Sequence, residues 1–170
     1  MPNGSIRHAL KIVIQPRYYH YDPADASPGF RWPASTADGH ASLTYTGREP
    51  ALEMGSLLAL PPDFDVDSLR TEPARIVARA ARDYGIYVVD SAGFDSYALG
   101  IEWSPTGRLI DEFQSTWSMP FVQQDLAHPW STDLAALITH LAVVANNRPD
   151  APGGGGTPRV PLAPSLVVPG

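Results

Sequence analysis

Prolines and glycines interrupt this chain so often that they limit the length of any helix or strand. The sequence has 18 prolines and 14 glycines among 170 residues, well above average use. Each proline removes a backbone donor, and each glycine favours a turn. We therefore expect a single domain of short elements joined by many turns, at a size where a core forms without cross-links.

Composition and charge exclude several classes of function. The net charge of −6 disfavours nucleic-acid binding, because phosphate neutralisation needs clustered lysines and arginines. The chain has no cysteine, so disulfides, thiolate catalysis and thiolate metal sites are excluded. No apolar run approaches the length of a transmembrane span, and the polar first residues do not resemble a signal peptide.

Alternating hydrophobicity predicts several short strands. The clearest covers residues 6–14, has one strongly apolar face and stops before Pro16. The runs at residues 86–89 and 97–103 are typical of the two strands of a β-hairpin. Further short strands are predicted at residues 43–45, 56–60, 109–117 and 143–144.

Two helices are predicted from apolar residues at helical spacing. The first covers residues 72–84, with Thr71 as its N-cap and Gly85 as the C′ residue that ends it. The second covers residues 132–141, with Ser131 as its N-cap. These helices and the strands together predict a β-rich α+β fold, a β-sandwich or jelly-roll-like domain with two short peripheral helices.

The end of the chain differs in composition from the rest. Residues 1–147 form the predicted globular domain, and residues 148–170 form a Pro/Gly-rich C-terminal strap. The strap contains apolar residues after its glycine run, which is unusual for a fully solvated tail. We expect a polyproline-like segment that lies on the surface of the domain or on a partner.

The predicted loop over residues 15–42 holds the side chains best suited to chemistry. A loop of this length in a compact domain is often functional. Trp32 offers a flat apolar face for stacking on a sugar ring, and Arg31 offers polar contacts to the same substrate. Asp38 and His40 suit proton transfer. The alternative is an Asp-Gly turn held in place by a buried tryptophan.

His8 is the third candidate catalytic residue. It falls on the apolar face of the predicted first strand. A histidine there is either a core residue that is hydrogen-bonded to a carbonyl or carboxylate, or a general base on the inner face of a sheet. The predicted site thus comprises His8, Asp38 and His40 for catalysis and Trp32 and Arg31 for substrate binding.

Two groups of acidic residues are further candidate sites. The aromatic and acidic segment of residues 18–25, together with His40, has imidazole and carboxylate groups for a divalent metal. Its spacing matches no known metal pattern, so we predict a solvated polar loop and no metal or other cofactor. Glu102 and Asp90 would suit glycoside hydrolysis if they shared one cleft, but solvated or capping carboxylates are the preferred interpretation.

Other motifs are weaker or missing. Arg75, Arg79 and Arg82 form a stripe on the first predicted helix, which is either a solvated face or a patch for an anionic ligand. The sequence has no nucleophile elbow, phosphate-binding loop, dinucleotide fingerprint or H-E-x-x-H motif. Whether the protein is an enzyme therefore stays open at this point.

Three motifs resemble a group of bacterial proteins, common in actinobacteria and often secreted, for which no function is known. They are I-x-H-A-L at residues 6–10, W-P-A-x-x-x-D-G at residues 32–39 and Y-G-x-Y-V-V-D at residues 84–90. The resemblance is to the C-terminal half of those proteins and implies a β-rich fold, an extracellular location and a polysaccharide ligand. Because a further region precedes the first motif in that group, the resemblance implies either a minimal version or a first strand that pairs with another chain.

Two functions follow from these observations. The first is a carbohydrate-directed domain that binds, or also cleaves, an extracellular polysaccharide through Trp32 and the polar residues around it. The second is a structural or protein-interaction module, such as a homo-oligomer, which would use an open first strand and the C-terminal strap. The expected partner is accordingly a polysaccharide or another protein chain.

Overall fold

A computed structural model describes residues 4–101, 103–105, 107–123 and 125–161. The described residues adopt an α+β fold with a mixed five-stranded sheet and four helices. The helices are α1 (Ala41–Thr44), α2 (Glu72–Asp83), α3 (Leu109–Trp117) and α4 (Pro129–Thr139). The strands are β1 (Leu10–Ile14), β2 (Leu57–Ala59), β3 (Ile86–Ser91), β4 (Tyr97–Leu99), β5 (Trp103–Ser104), β6 (Gly107–Arg108) and β7 (Ala142–Val143).

The main sheet has the strand order β4-β1-β3-β2-β7. β1 runs parallel to β3 and antiparallel to β4, and β2 runs antiparallel to both β3 and β7. The pairing of β1 with β3 shifts after Ile12, which lies opposite Val88, so that Val13 lies opposite Asp90. Val89 is therefore the extra residue of a bulge, which bends the strand beside the cleft described below. β5 and β6 form a separate two-stranded sheet.

The predicted hairpin and the predicted open first strand are both wrong. β3 and β4 do not pair with each other, because β1 lies between them. β1 is consequently paired on both sides and leaves no open edge. The parallel pairing of β1 with β3 joins residues far apart in the chain, which local sequence patterns do not reveal.

Two segments that were predicted as strands are helical. Residues 43–45 lie in α1 and at its C-terminal end, and residues 109–117 form α3. The apolar side chains of Leu109, Phe113 and Trp117 are spaced four residues apart, which is the period of a helix face rather than of a strand. The β-sandwich or jelly roll is not confirmed, since the described strands form one five-stranded and one two-stranded sheet.

The two predicted helices are confirmed with small changes at their ends. α2 begins at Glu72 and ends before Gly85, whose φ of +81° suits a glycine. A Cβ at Gly85 would lie 2.9 Å from the Leu58 carbonyl oxygen, so glycine also permits the close approach of β2. α4 begins at Pro129 instead of after Ser131, because His128 caps it by accepting a hydrogen bond from the Trp130 N–H.

The start of α2 is capped by a residue of α4. The Thr71 side chain does not cap its own helix. Instead, the Asp133 carboxylate, only 4% exposed, accepts hydrogen bonds from the Arg70 N–H at 3.1 Å and from the Thr71 N–H and hydroxyl at 2.7 Å each. This carboxylate satisfies donors that the helix itself leaves unpaired and ties α4 to α2.

The core joins the sheet to the helices and to the long loop before α1. The sheet contributes Ile12, Ile86 and Val88, all fully buried. α2 contributes small side chains, which allow it to pack closely on β2 and α4. Rings of Phe113, Phe121 and Trp130 pack together beside α3 and α4, with centroids between 5.1 and 5.9 Å apart.

The described part of the C-terminal strap lies against the domain. The Asn147 side-chain oxygen accepts a hydrogen bond from the Gly153 N–H, and Arg159 lies 3.7 Å from Asp83 at the end of α2. Residues 162–170 of the predicted strap lie outside the described residues. Among the helices of the described chain, none has the length and apolar character needed to cross a membrane.

Candidate functional site

The long loop before α1 is fixed by backbone hydrogen bonds to the segment that precedes β2. The His20 N–H bonds to the Leu52 carbonyl at 2.8 Å, and the Arg31 N–H bonds to the Met54 carbonyl at 2.9 Å. The Met54 N–H bonds in turn to the Gly29 carbonyl at 3.1 Å. The loop therefore follows the segment before β2 in a defined path, as is required of a segment that positions functional side chains.

A cleft of about 350 Å³ lies between this loop and β3. We call it the Asp38 cleft. Its volume is at the lower end of the range for small-molecule sites, which is about 300–1,000 Å³. One wall is formed by loop residues 33–38 and the other by residues 54–55 and 87–89.

Gly55 permits the two walls to meet. Its φ is +87°, and a Cβ there would lie 2.1 Å from the Arg31 carbonyl oxygen and 2.7 Å from the Ala34 Cβ. The Gly55 N–H also bonds to the Val88 carbonyl at 3.0 Å. Only glycine lets the loop lie this close to β3 without strain.

Asp38 is the carboxylate of the cleft. Its Oδ2 accepts a 2.8 Å hydrogen bond from the Tyr45 hydroxyl. The half-buried Asp38 side chain forms no other side-chain hydrogen bond with the part of the chain that the structure describes, so Oδ1 remains available to a ligand. Burial, and then the hydrogen bond to Asp38, raise the pKa of Tyr45 well above its usual value. Tyr45 thus stays protonated and remains a donor at all ordinary pH values.

Tyr45, which holds this carboxylate, packs against a second buried tyrosine in the core. The rings of Tyr45 and Tyr19 meet edge to face with centroids 4.9 Å apart. The Tyr19 hydroxyl donates to the Asp90 carbonyl at 2.7 Å, which connects the pair to the bulged end of β3. Burial raises the pKa of Tyr19 as well. The position of Asp38 is therefore set by core packing rather than by the flexible end of a loop.

The remaining cleft surface combines apolar and hydroxyl groups. Met54 and Val88 supply buried apolar surface. Ser35 and Thr36 are exposed, and the half-buried Tyr87 presents an aromatic ring, its hydroxyl 3.4 Å from the Asn147 side-chain oxygen. A carboxylate acceptor, hydroxyls and an aromatic ring in one shallow cleft suit a small polar ligand with several hydroxyl groups.

Neither of the two predicted substrate-binding residues lines the cleft. Trp32 is partly buried and immediately precedes Pro33, the first residue of the loop wall. The Arg31 guanidinium donates to the carbonyls of Ala51 and Ala145 at 2.8 Å each, which fastens the loop to the segments before β2 and after β7.

The predicted catalytic residues do not converge on the cleft. Of the three, Asp38 lines it, whereas His8 and His40 do not. His8 is exposed and lies before β1, because pairing with β3 starts at Leu10 opposite Ile86. His40 is exposed at the N-cap of α1, where its side chain makes no capping hydrogen bond.

The weaker sequence signals have simple structural positions. Glu102 lies outside the described residues, and Asp90 is exposed at the end of β3. Arg75 and Arg79 both pair with Glu72 on α2. Arg82 of the same stripe pairs with Asp83.

Three residues of the site are not predicted from the sequence: Tyr45, Gly55 and Tyr87. Tyr45 falls in the predicted strand at residues 43–45, although Ala41 and Tyr45 are spaced as neighbours on a helix face. Gly55 indicates a turn but not its packing partner, because the Arg31 backbone that it allows to approach is more than 20 residues away in the chain. Tyr87 was interpreted as part of a hairpin that does not form.

No protein family, curated protein or solved structure matches the chain. The resemblance to the group of bacterial proteins therefore stays a prediction from the three motifs. The geometry of the Asp38 cleft is accordingly the basis on which a function is inferred.

Proposed function

We propose that the chain binds a neutral polysaccharide, with one sugar unit in the Asp38 cleft and Trp32 flanking the next. The observation that carries the proposal is the orientation of Asp38, whose Oδ2 is held by Tyr45 while Oδ1 is left for a ligand. A fixed carboxylate accepts hydrogen bonds from sugar hydroxyls without having to be ordered first. The net charge of −6 favours a neutral ligand over an acidic one.

Binding is favoured over cleavage. Glycoside hydrolysis ordinarily needs two carboxyl groups, about 5–10 Å apart, on either side of the scissile bond. Among the described residues that line the cleft, Asp38 supplies the sole carboxylate. We therefore propose a binding module and assign Asp38 as a ligand-binding residue rather than as a catalytic one. An extracellular location is part of this proposal and rests on the resemblance of the three sequence motifs alone.

Affinity electrophoresis of the full chain in gels that contain different polysaccharides tests the proposal. The panel comprises neutral glucans, xylans and mannans, with pectin as an acidic comparison. We expect retardation by at least one neutral polysaccharide and none by pectin. Isothermal titration with fragments of the retarding polysaccharide then gives the dissociation constant.

Two variants connect binding to the cleft. Asp38→Ala removes the acceptor and should weaken binding by about 10- to 100-fold, the usual worth of a hydrogen bond to a charged group. Trp32→Ala should weaken it through lost stacking. Asp63→Asn changes an exposed carboxylate in another turn and should leave affinity unchanged. Both variants are checked for folding by circular dichroism. If Asp38→Ala then binds the polysaccharide as tightly as Asp63→Asn, the ligand does not bind in the Asp38 cleft.

Self-assembly is the second candidate function, and exposed aromatic side chains near β4 favour it. Phe94 and Trp103 are 74% and 79% exposed. β4 is an edge strand of the main sheet, so its outer backbone groups face no other strand there. A second copy of the chain could add a strand at this edge and cover the two rings. This replaces the predicted assembly through β1, which is paired on both sides.

Light scattering separates this candidate from the first. Assembly through β4 predicts a dimer or larger species in solution that becomes monomeric in a Phe94→Ser, Trp103→Ser double variant. A monomer at all concentrations, with polysaccharide binding intact, would discard self-assembly and leave the Asp38 cleft as the functional surface.

A further inference from the structure

The wall of the Asp38 cleft that belongs to β3 carries one aromatic side chain, that of Tyr87. Its neighbours Ile86 and Val88 are buried in the core. Because successive side chains of a strand point to opposite faces, the half-buried Tyr87 lies on the other face of the sheet, where it lines the cleft. Among the described residues that line the cleft, it is the sole aromatic residue.

Tyr87 and Asp38 lie on opposite walls of this cleft. Asp38 belongs to the loop wall and offers Oδ1, whereas Tyr87 belongs to the β3 wall and offers the apolar surface of its ring. A sugar unit has hydroxyl groups around its edge and apolar C–H groups on its faces. It therefore suits a cleft with a carboxylate on one side and an aromatic ring on the other.

The hydroxyl of Tyr87 is held at the point where the C-terminal strap leaves the domain. It donates a 3.4 Å hydrogen bond to Oδ1 of Asn147. Asn147 is only 4% exposed, and the same oxygen accepts a 2.9 Å hydrogen bond from the Gly153 N–H. Because a backbone N–H only donates, the bond to Gly153 fixes which end of the amide is the oxygen. The Tyr87 hydroxyl thus has a buried acceptor of fixed orientation.

The glycine run of the strap, residues 153–156, packs tightly beside Asn147. The Gly154 carbonyl accepts a 2.6 Å hydrogen bond from Nδ2 of Asn146. Gly154 has a φ of +90°, and a Cβ there would lie 2.9 Å from the Val144 side chain. Glycine at this position therefore permits both the backbone conformation and the close packing.

Val144 connects this packing to the wall of the cleft. Its N–H donates a 2.8 Å hydrogen bond to the carbonyl of Leu57. Leu57 lies opposite Tyr87 in the pairing of β2 with β3. The sheet therefore places the glycine run beside Tyr87, and Asn147 joins the two by hydrogen bonds.

We propose that Tyr87 stacks on the sugar unit in the Asp38 cleft and that the glycine run positions its ring there through Asn147. This inference rests on the proposed polysaccharide binding and adds a role for the C-terminal strap. Tyr87 contacts the ligand, whereas Asn147 and Gly154 act through Tyr87 as positioning residues. A ring that is already held in its binding orientation loses little freedom when a ligand binds, which favours affinity.

Calorimetric titration with fragments of the retarding polysaccharide tests the contact. Tyr87→Leu keeps apolar bulk but removes the ring, so it should weaken binding about tenfold. Tyr87→Phe keeps the ring and removes only its anchor, so it should weaken binding by less, about two- to threefold. Tyr97→Leu is the matched control and should leave affinity unchanged, because Tyr97 is a strand tyrosine that does not line the cleft.

NMR spectra of the full chain with ¹³C-labelled tyrosine rings report stacking directly, which a merely structural role of Tyr87 would not affect. The Tyr87 ring signals, assigned with Tyr87→Phe, should shift on titration and saturate at the dissociation constant given by calorimetry. The ring signals of Tyr97 should not move. Tyr87 ring signals that stay in place at saturation would overturn the contact.

Gly154→Ala and Gly156→Ala test the positioning without any ligand. Both glycines have a positive φ, +90° and +81°, but of the two only Gly154 would place a Cβ within 4 Å of other atoms. Gly154→Ala should therefore shift the Tyr87 ring signals, as should Asn147→Ala, whereas Gly156→Ala should not. Tyr87 ring signals that are the same in all three variants, each folded by circular dichroism, would overturn the positioning role of the strap.

Comparison with Asp38→Ala separates this inference from the proposed function. If Asp38→Ala weakens binding while a folded Tyr87→Leu binds as tightly as the unchanged chain, the cleft binds the polysaccharide and the role of Tyr87 is wrong. If neither variant weakens binding, the polysaccharide binds elsewhere and both proposals are wrong.

Discussion

The hydroxyl of Tyr45, at the C-terminal end of α1, donates a 2.8 Å hydrogen bond to the carboxylate of Asp38, which precedes the same helix. Tyr45 is buried against Tyr19 in the core, whereas Asp38 lines the cleft. Through this bond, a residue packed in the core fixes the orientation of the one carboxylate in the proposed binding site. It also makes the site testable by a change that leaves every cleft residue in place.

Tyr45→Phe removes the hydroxyl and keeps the ring in the core. We expect the free energy of unfolding to fall by about 1 kcal/mol, the net worth of one hydrogen bond. Affinity for the polysaccharide should fall by less than in Asp38→Ala, because Asp38 remains but is no longer fixed. Urea denaturation and calorimetric titration measure the two effects. Unchanged affinity would show that the orientation of Asp38 is unimportant.

Gly55→Ala tests the close approach of the loop to β3. A methyl group there would overlap the Arg31 carbonyl, and the φ of +87° is unfavourable for alanine. We expect a loss of about 2 kcal/mol or more in unfolding free energy, together with loss of polysaccharide binding. Gly93→Ala is the matched control, since a Cβ at Gly93 meets no atom within 4 Å and its φ is not positive. That control should change stability by less than about 1 kcal/mol.

Asp133→Ala tests the cap that α4 provides for α2. The change leaves the N–H groups of Arg70 and Thr71 without their acceptor in a buried setting. We expect a loss of about 3 kcal/mol in unfolding free energy. Asp133→Asn retains one acceptor oxygen and should lose less. Chemical denaturation of both variants measures the difference, and equal losses would contradict the assigned hydrogen bonds.

Protonation of Glu72 at low pH is predicted to destabilise the fold at α2. Hydrogen bonds from Arg79 and Arg75 lower the pKa of Glu72, with the Arg79 bond the stronger cause. A carboxyl with a lowered folded pKa stabilises the fold above its unfolded pKa, about 4.3, and loses that contribution as pH falls through the folded value. Because the pair is partly exposed, the contribution should be below about 1 kcal/mol.

Glu72→Gln measures that contribution. The variant should be slightly less stable than the unchanged chain at pH 7, and the difference should vanish in strongly acidic solution. Added salt should reduce it at neutral pH. A stability difference that grows as pH falls would have the wrong sign for a carboxyl with a lowered pKa.

Local sequence signals predicted α2 and α4 but not the order of the strands. α2 was recognisable from its apolar stripe, from Pro73 at its start and from Gly85 at its end, all of which act within a few residues. The neighbours of β1 depend on contacts between residues more than 70 positions apart. Such pairings depend on the packing of the whole core, which local patterns do not show. The prediction that β3 and β4 form a hairpin was therefore wrong, because β1 lies between them.

The candidate site was predictable to the same limited degree. Asp38 was recognised because an Asp-Gly pair follows an aromatic residue in a long loop. Its role as a fixed acceptor depends on Tyr45, whose helical position was missed. The wall formed by Gly55 and β3 is non-local and left no pattern in the sequence. His8 was misplaced because alternation continued beyond the residues that β3 is able to pair.

The most direct test of the central claim is a ¹⁵N-edited NMR titration of the full chain with fragments of the neutral polysaccharide that retards it best. Binding in the Asp38 cleft predicts saturable shifts at the amides of residues 35–38, Gly55 and residues 87–89. In Asp38→Ala the same shifts should need about 10- to 100-fold higher fragment concentrations to reach saturation. Saturable shifts confined to residues 94–103, or no shifts with any fragment of the panel, would contradict the proposed function.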